Sequence, residues 1–150
     1  MKRIIYFAIL LFGVCFLSSC QKEEKVEDYA TAIVGKWRLT LLEEYKENGI
    51  IQCREIYGTD SYKYEWYVDG EIDDTYTEEP KNQYLQFEED GNVITITEIR
   101  TRSSTYEVNG STLTLGGNPY EIKKLSKREL VFYTRDSDGT EWWDYFERVE

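Results

Sequence analysis

Twenty-nine carboxylates, three cysteines and no histidine bound the chemistry open to this 150-residue chain. Without histidine it lacks the commonest general base, the usual activator of Ser and Cys nucleophiles and the usual zinc ligand, which excludes hydrolase triads and zinc sites. No Gly-rich phosphate loop or dinucleotide fingerprint occurs, and Gly116-Gly117 reads as a turn. Two acids roughly 5 to 9.5 Å apart across a cleft could serve a glycosidase. The adjacent pairs Asp73-Asp74, Glu78-Glu79 and Glu88-Glu89 fall in or beside predicted turns and read as solvated surface. Asp136-Ser137-Asp138-Gly139-Thr140-Glu141 has the opening spacing of a calcium loop, but it lacks the later ligands and reads better as a hairpin turn. The chain is expected to bind rather than catalyse, with no cofactor and no metal. Its remaining functional hint is aromatic: Trp66 among Tyr62, Tyr64 and Tyr67, and Trp142-Trp143 with Tyr145.

The cysteines point to an address. Lys2 and Arg3 precede an apolar run, Ile4 to Leu17, that suits a signal-peptide core and falls short of the ~17 to 25 residues that span a bilayer. Directly after it, Leu17-Ser18-Ser19-Cys20 resembles the lipobox of bacterial lipoproteins. The resemblance implies that residues 1–19 are a signal peptide, cut so that Cys20 becomes an acylated N-terminus held in a membrane by several acyl chains, each methylene worth roughly 0.8 kcal/mol. Loss of Lys2 and Arg3 takes the formal charge from −11 to −13. Nucleic acid is not an expected partner for so acidic a chain. Cys15 leaves with the signal peptide and Cys20 is acylated, so Cys53 has no partner for an intramolecular disulfide and reads as a small buried hydrophobe. Residues 20–28 form a polar, acidic tether. Gln21-Lys22-Glu23-Glu24 resembles the acidic export signal of surface-displayed lipoproteins in some Gram-negative bacteria. The expected location is therefore the outer membrane, facing the periplasm or the cell exterior, with surface display favoured.

The elements that must position the aromatics begin after this tether. Asp28 can cap a short helical turn through Val34, which Gly35 ends. Trp37, Leu39 and Leu41 then alternate with Arg38, Thr40 and Leu42, and Tyr62, Tyr64, Trp66 and Val68 with Lys63, Glu65 and Tyr67, the period-2 pattern of half-buried strands. Leu85 and Phe87, Ile94 and Ile96, Tyr106 and Val108, Leu113 and Leu115, Tyr120 and Ile122, Leu130 and Phe132, and Trp143 and Tyr145 continue it. Asn48-Gly49, Asp69-Gly70, Asp90-Gly91, Asn109-Gly110 and Asp138-Gly139 supply hairpin turns. One all-β domain over residues 29–150 follows: an antiparallel meander of about eight to ten strands after a helical turn, closed as a barrel or folded as a sandwich.

Gly35-Lys36-Trp37, placed after a helical turn, resembles the Gly-x-Trp signature that opens the first strand of lipocalins. Looser resemblance to small lipocalin-like domains of bacterial lipoproteins runs through Tyr84–Gly91, Tyr106–Leu115 and Tyr120–Leu130. It implies a small β-barrel in which Trp37 closes one end and stacks on a basic residue of the final strand, for which Arg148 is the candidate. Gly35, Trp37 and Arg148 are thus structural rather than ligand-binding. The second lipocalin signature, Thr-Asp-Tyr before a late strand, is absent, since Thr59-Asp60-Ser61-Tyr62 comes too early. Three readings of the aromatics stay open. Tyr62, Tyr64, Trp66, Trp142 and Trp143 line a site for a small hydrophobic or amphipathic ligand, as the resemblance implies. They form an exposed platform for an envelope glycan or protein. Or they are cross-strand packing. Trp142 and Trp143, being adjacent in a strand, must face opposite ways.

Overall fold

A computed structural model describes residues 28–149. Asp28 is the N-cap of α1 (Tyr29–Ile33): its carboxylate accepts the backbone N–H groups of Ala30 and Thr31, which a helix start leaves without partners. Eleven antiparallel strands follow, β1 (Gly35–Tyr45), β2 (Ile51–Tyr57), β3 (Tyr62–Val68), β4 (Glu71–Glu78), β5 (Gln83–Phe87), β6 (Asn92–Thr97), β7 (Thr101–Asn109), β8 (Thr112–Leu115), β9 (Asn118–Leu125), β10 (Glu129–Arg135) and β11 (Glu141–Val149).

β1 organises the sheet. One of its edges pairs with β11 from Lys36 to Tyr45, while the other is divided: Gly35–Arg38 pair with β5, and Leu41–Tyr45 pair with β2. β1 and β5 through β11 therefore close an eight-stranded barrel, and β2-β3-β4 form a meander that extends from the far half of β1. The total of eleven exceeds the expected eight to ten because this meander adds three strands outside the closed ring. Where β1 changes neighbour, the last carbonyl of β2 would lose its partner. Arg38 fills that gap: Nη1 donates to Tyr57 O at 3.0 Å, while Nε and Nη2 hold Glu147 Oε1 at 2.8 and 2.6 Å.

Inside the ring, Trp37, Leu39, Leu85, Phe87, Val93, Leu113, Ile122, Leu125, Leu130, Phe132 and Phe146 interdigitate beneath Ile33 of α1. Trp37, Leu113 and Leu130 have no exposed surface. An eight-stranded barrel is just wide enough for its side chains to fill it, and this one is filled at the helix end. All these residues and pairings lie within the described segment, which carries a complete core of its own.

Three inward faces differ from the alternation expected from sequence, and in β11 it is Trp142, Asp144 and Phe146, not Trp143 and Tyr145, that face in. A β-bulge at Thr40, whose hydroxyl donates to Tyr145 O at 3.0 Å, shifts the register of β1 against β11. Beyond the bulge Leu42, not Leu41, packs on the core, and Glu44 follows it inward while Glu43 turns outward. In β6 the buried residue is Val93, opposite Phe87, so Ile94 and Ile96 take the other face.

Three hairpins share one turn. Lys46, Glu88 and Asp136 each donate to the carbonyl four residues on, and Asn48, Asp90 and Asp138 each accept the backbone N–H two residues on with a side-chain oxygen. The stretch with calcium-loop spacing is thus a hairpin in which Asp138 holds Thr140 N, and this hydrogen bond lowers the Asp138 pKa.

A candidate ligand-binding wall

Beyond the filled end, the inner face of the sheet becomes polar and aromatic. Register places Phe132, Asp144, Leu42, Glu55, Tyr64 and Tyr76 in one row across β10, β11, β1, β2, β3 and β4. The next row outward is Thr134, Trp142, Glu44, Cys53, Trp66 and Asp74. Tyr64 and Tyr76 stack at 5.1 Å between centroids, and Tyr57 and Tyr62 meet edge to face at 5.2 Å. The hydroxyls of Tyr57 and Tyr62 both donate to Glu55 Oε2, at 2.7 and 2.8 Å. Burial and this carboxylate push both phenols far above the ordinary range. Because β4 pairs only with β3, this wall is open at its edge: Trp66 and Tyr76 are 36% and 43% exposed.

Asp144 stands on the floor of the wall. Its neighbours in register are Phe132 and Leu42, and no side-chain hydrogen bond or ion pair reaches it among the described residues. Burial, and then the charge of Glu55, raise its carboxyl to about 6. The residue keeps intermediate exposure.

The opposite end of the barrel is sealed by Trp37. Arg148 lies over its indole with the guanidinium carbon 4.2 Å from the ring centroid, and donates to Val34 O at 2.8 Å and Ala32 O at 2.6 Å. The indole N–H donates to Ile33 O at 2.7 Å. Gly35 makes this possible: its φ of +130° favours glycine, and a Cβ there would stand 2.6 Å from Arg148 Nη1. Over residues 33–132, two thirds of its length, the chain matches the lipocalin-like domain family. The chain belongs to this family. No curated protein matches it.

In this lipocalin-like domain, four of the five aromatic residues singled out from sequence, Tyr62, Tyr64, Trp66 and Trp142, lie on the inner face, with Trp142 Nε1 donating to Asp136 at 3.0 Å. Trp143 does not join them. It is on the outer face, 4.9 Å from the Tyr133 ring, with Lys123 over both. Sequence reasoning missed Glu44, Glu55 and Asp144 because they lie on three different strands, and only register brings them to one surface. Cys53 also lies there; its thiol donates to Glu44 Oε2 at 3.3 Å, and burial with that contact pushes its pKa up to about 12, which suits a structural thiol and not a nucleophile.

The outer face handles its acids differently. Glu43 and Glu65, both buried, flank Arg54 in register; Arg54 Nη2 holds Glu43 at 2.7 Å, and Lys63 holds Glu65 at 2.6 Å. Hydrogen bonds from Lys63 and Tyr67 keep the Glu65 carboxyl below its usual pKa. Two open grooves of about 610 and 590 Å³ flank α1 at the sealed end, and neither is lined by the aromatic wall.

Proposed function

We propose that this chain is a lipid-anchored envelope protein whose lipocalin-like domain binds a small amphipathic ligand and performs no chemistry on it. The observation that carries this reading is the composition of the open inner wall. Tyr64, Tyr76 and Trp66 offer aromatic faces beside polar atoms of Glu44, Glu55 and Asp144, and part of that surface is open to solvent. Convergent polar groups set in an apolar surface are the usual make-up of small-molecule sites. The filled helix end favours a ligand lying against the wall of the extension over one sunk through the barrel axis.

Native mass spectrometry of a chain from Gln21 to Glu150, purified from its own host without detergent, tests this. A retained small molecule lost on organic extraction, and lost again in Trp66→Ala, is the expected result. A clean apo mass, with no binding to the wall from a lipid extract of the host, would count against it. The exposure of Trp66 and Tyr76 favours a second reading, a stacking platform for an envelope glycan. Retention on immobilised envelope polysaccharide, with no small molecule released by extraction, would select it.

The anchor rests on the lipobox at Leu17–Cys20, which lies outside the described residues. Among the described residues no helix is long and apolar enough to cross a membrane. Replacing Cys20 with Ala is expected to abolish acyl labelling and move the protein out of the detergent-rich fraction; acylation that persists would refute the assignment.

A further inference from the structure

We infer that the ligand of this wall is a small organic cation, its apolar body lying on Tyr64, Tyr76 and Trp66 and its ammonium group seated between Asp144 and Glu55. The inference rests on the reading of the wall as a ligand site and adds the charge of the ligand.

Geometry comes first. Asp144 and Glu55 stand on either side of Leu42 in one cross-strand row. Strands about 4.8 Å apart put their Cα atoms roughly 10 Å from each other. Both side chains stand on the same face of that row, near enough for the Glu55 charge to act on Asp144, and an ammonium placed between them meets a carboxylate on each side. Glu44 stands in the next row outward, beside Trp142 and one strand from Trp66, with Cys53 between.

The partners of these acids come second. On the outer face each buried acid has its own base, Arg54 for Glu43 and Lys63 for Glu65. Among the described residues, Glu44 on the inner face receives only the Gln52 amide and the Cys53 thiol, and Glu55 only tyrosine hydroxyls on one oxygen. Asp144 receives no side-chain donor among the described residues. A carboxylate partly withdrawn from water with no base beside it, as at Asp144, is costly, and a bound cation lowers that cost. A neutral apolar ligand would deepen the burial of Asp144 without compensating it, and an anion would meet three like charges.

The aromatic faces agree, because their quadrupoles attract cations. The chain itself supplies an example at the rim, where Lys81 holds its ammonium 3.7 Å from the Tyr62 centroid and 2.7 Å from Glu78.

Three probes with one phenyl body and different heads test the inference: phenethylamine, phenethyl alcohol and phenylacetate. Each is titrated into the Gln21–Glu150 chain at neutral pH and followed by backbone amide NMR. The expected result is that the amine binds at least about tenfold tighter than the alcohol, that phenylacetate does not saturate, and that shifts centre on Tyr64, Trp66 and Asp144. Asp144→Asn is expected to weaken the amine about tenfold and leave the alcohol unchanged, with Glu55→Gln acting in the same direction. Equal affinity of amine and alcohol at the wall would overturn the charge assignment while the site stands. Unmoved wall amides with all three probes would overturn the site together with the inference. The comparison on the unaltered chain needs no variant to fold.

Discussion

Substituting Gly35 with alanine strikes the sealed end of the barrel in two ways that can be separated. The backbone at φ +130° is a region that side chains rarely adopt, and holding alanine there costs about 1–3 kcal/mol. The new methyl would also stand 2.6 Å from Arg148 Nη1, so the guanidinium must leave. With it go two hydrogen bonds, to Val34 O and Ala32 O, at about 1 kcal/mol each, and a stacked contact on Trp37 worth about 0.5–2 kcal/mol. The total is about 5 kcal/mol, a large share of the ~5–15 kcal/mol that holds a typical domain folded. With an m-value of about 2 kcal/mol/M, the urea midpoint of the Gln21–Glu150 chain is expected to fall by about 2.5 M. In an Arg148→Ala background the steric part is already spent, so Gly35→Ala should cost only about 2 kcal/mol there. Equal cost in both backgrounds would refute the coupling, and a loss under about 1 kcal/mol in the parent chain would refute the whole account.

Arg54→Met leaves Glu43 buried without its base, while Glu65 keeps Lys63, and is expected to destabilise by about 2–3 kcal/mol at pH 7, with part of the loss recovered as acid protonates the freed carboxylate; urea melts at several pH values check both. Asp144 titrates near 6 in the folded chain against 3.8 as its ordinary value, so the native state binds the extra proton and wild-type stability falls as pH rises from about 4 to about 6. Asp144→Asn should remove that slope and be more stable than the parent by about 2 kcal/mol above pH 6, with the two converging near pH 4; parallel pH profiles would contradict it. In the Gln21–Glu150 chain Cys53 is the sole thiol, buried with a pKa near 12. It should react with a thiol reagent only after unfolding in urea, and fast labelling of the native protein would show that the site opens.

The strands were readable from sequence because period-2 alternation and Asx-Gly turns are local signals, set by side-chain burial and by positive φ. The ring closure was not local. It depends on β1 sharing one edge between β5 and β2, a pairing of residues some fifty positions apart that alternation does not encode. The bulge at Thr40 had no sequence signal either, since threonine is an ordinary strand residue, yet it exchanges the faces of Leu41 and Leu42 and sends Glu44 inward. Adjacent acids such as Glu88-Glu89 drew attention as pairs in sequence, while Glu44, Glu55 and Asp144 meet only through register. Asp144 in particular sits between Trp143 and Tyr145, and the conspicuous aromatics there turn outward while the acid turns in.

The divided edge of β1 has a consequence for how such a chain can change. On the edge away from β11, closure of the ring draws on Gly35–Arg38 alone, and Leu41–Tyr45 carry the extension. On that edge, the residues that join β1 to β5 and those that carry the extension occupy separate stretches of the same strand, bridged by Arg38. Insertions, deletions or recolouring of side chains in β2, β3 and β4 can therefore remodel what is recognised while the ring closes as before. Scaffold and recognition surface are free to diverge at different rates, joined through a few residues of one strand and a single arginine.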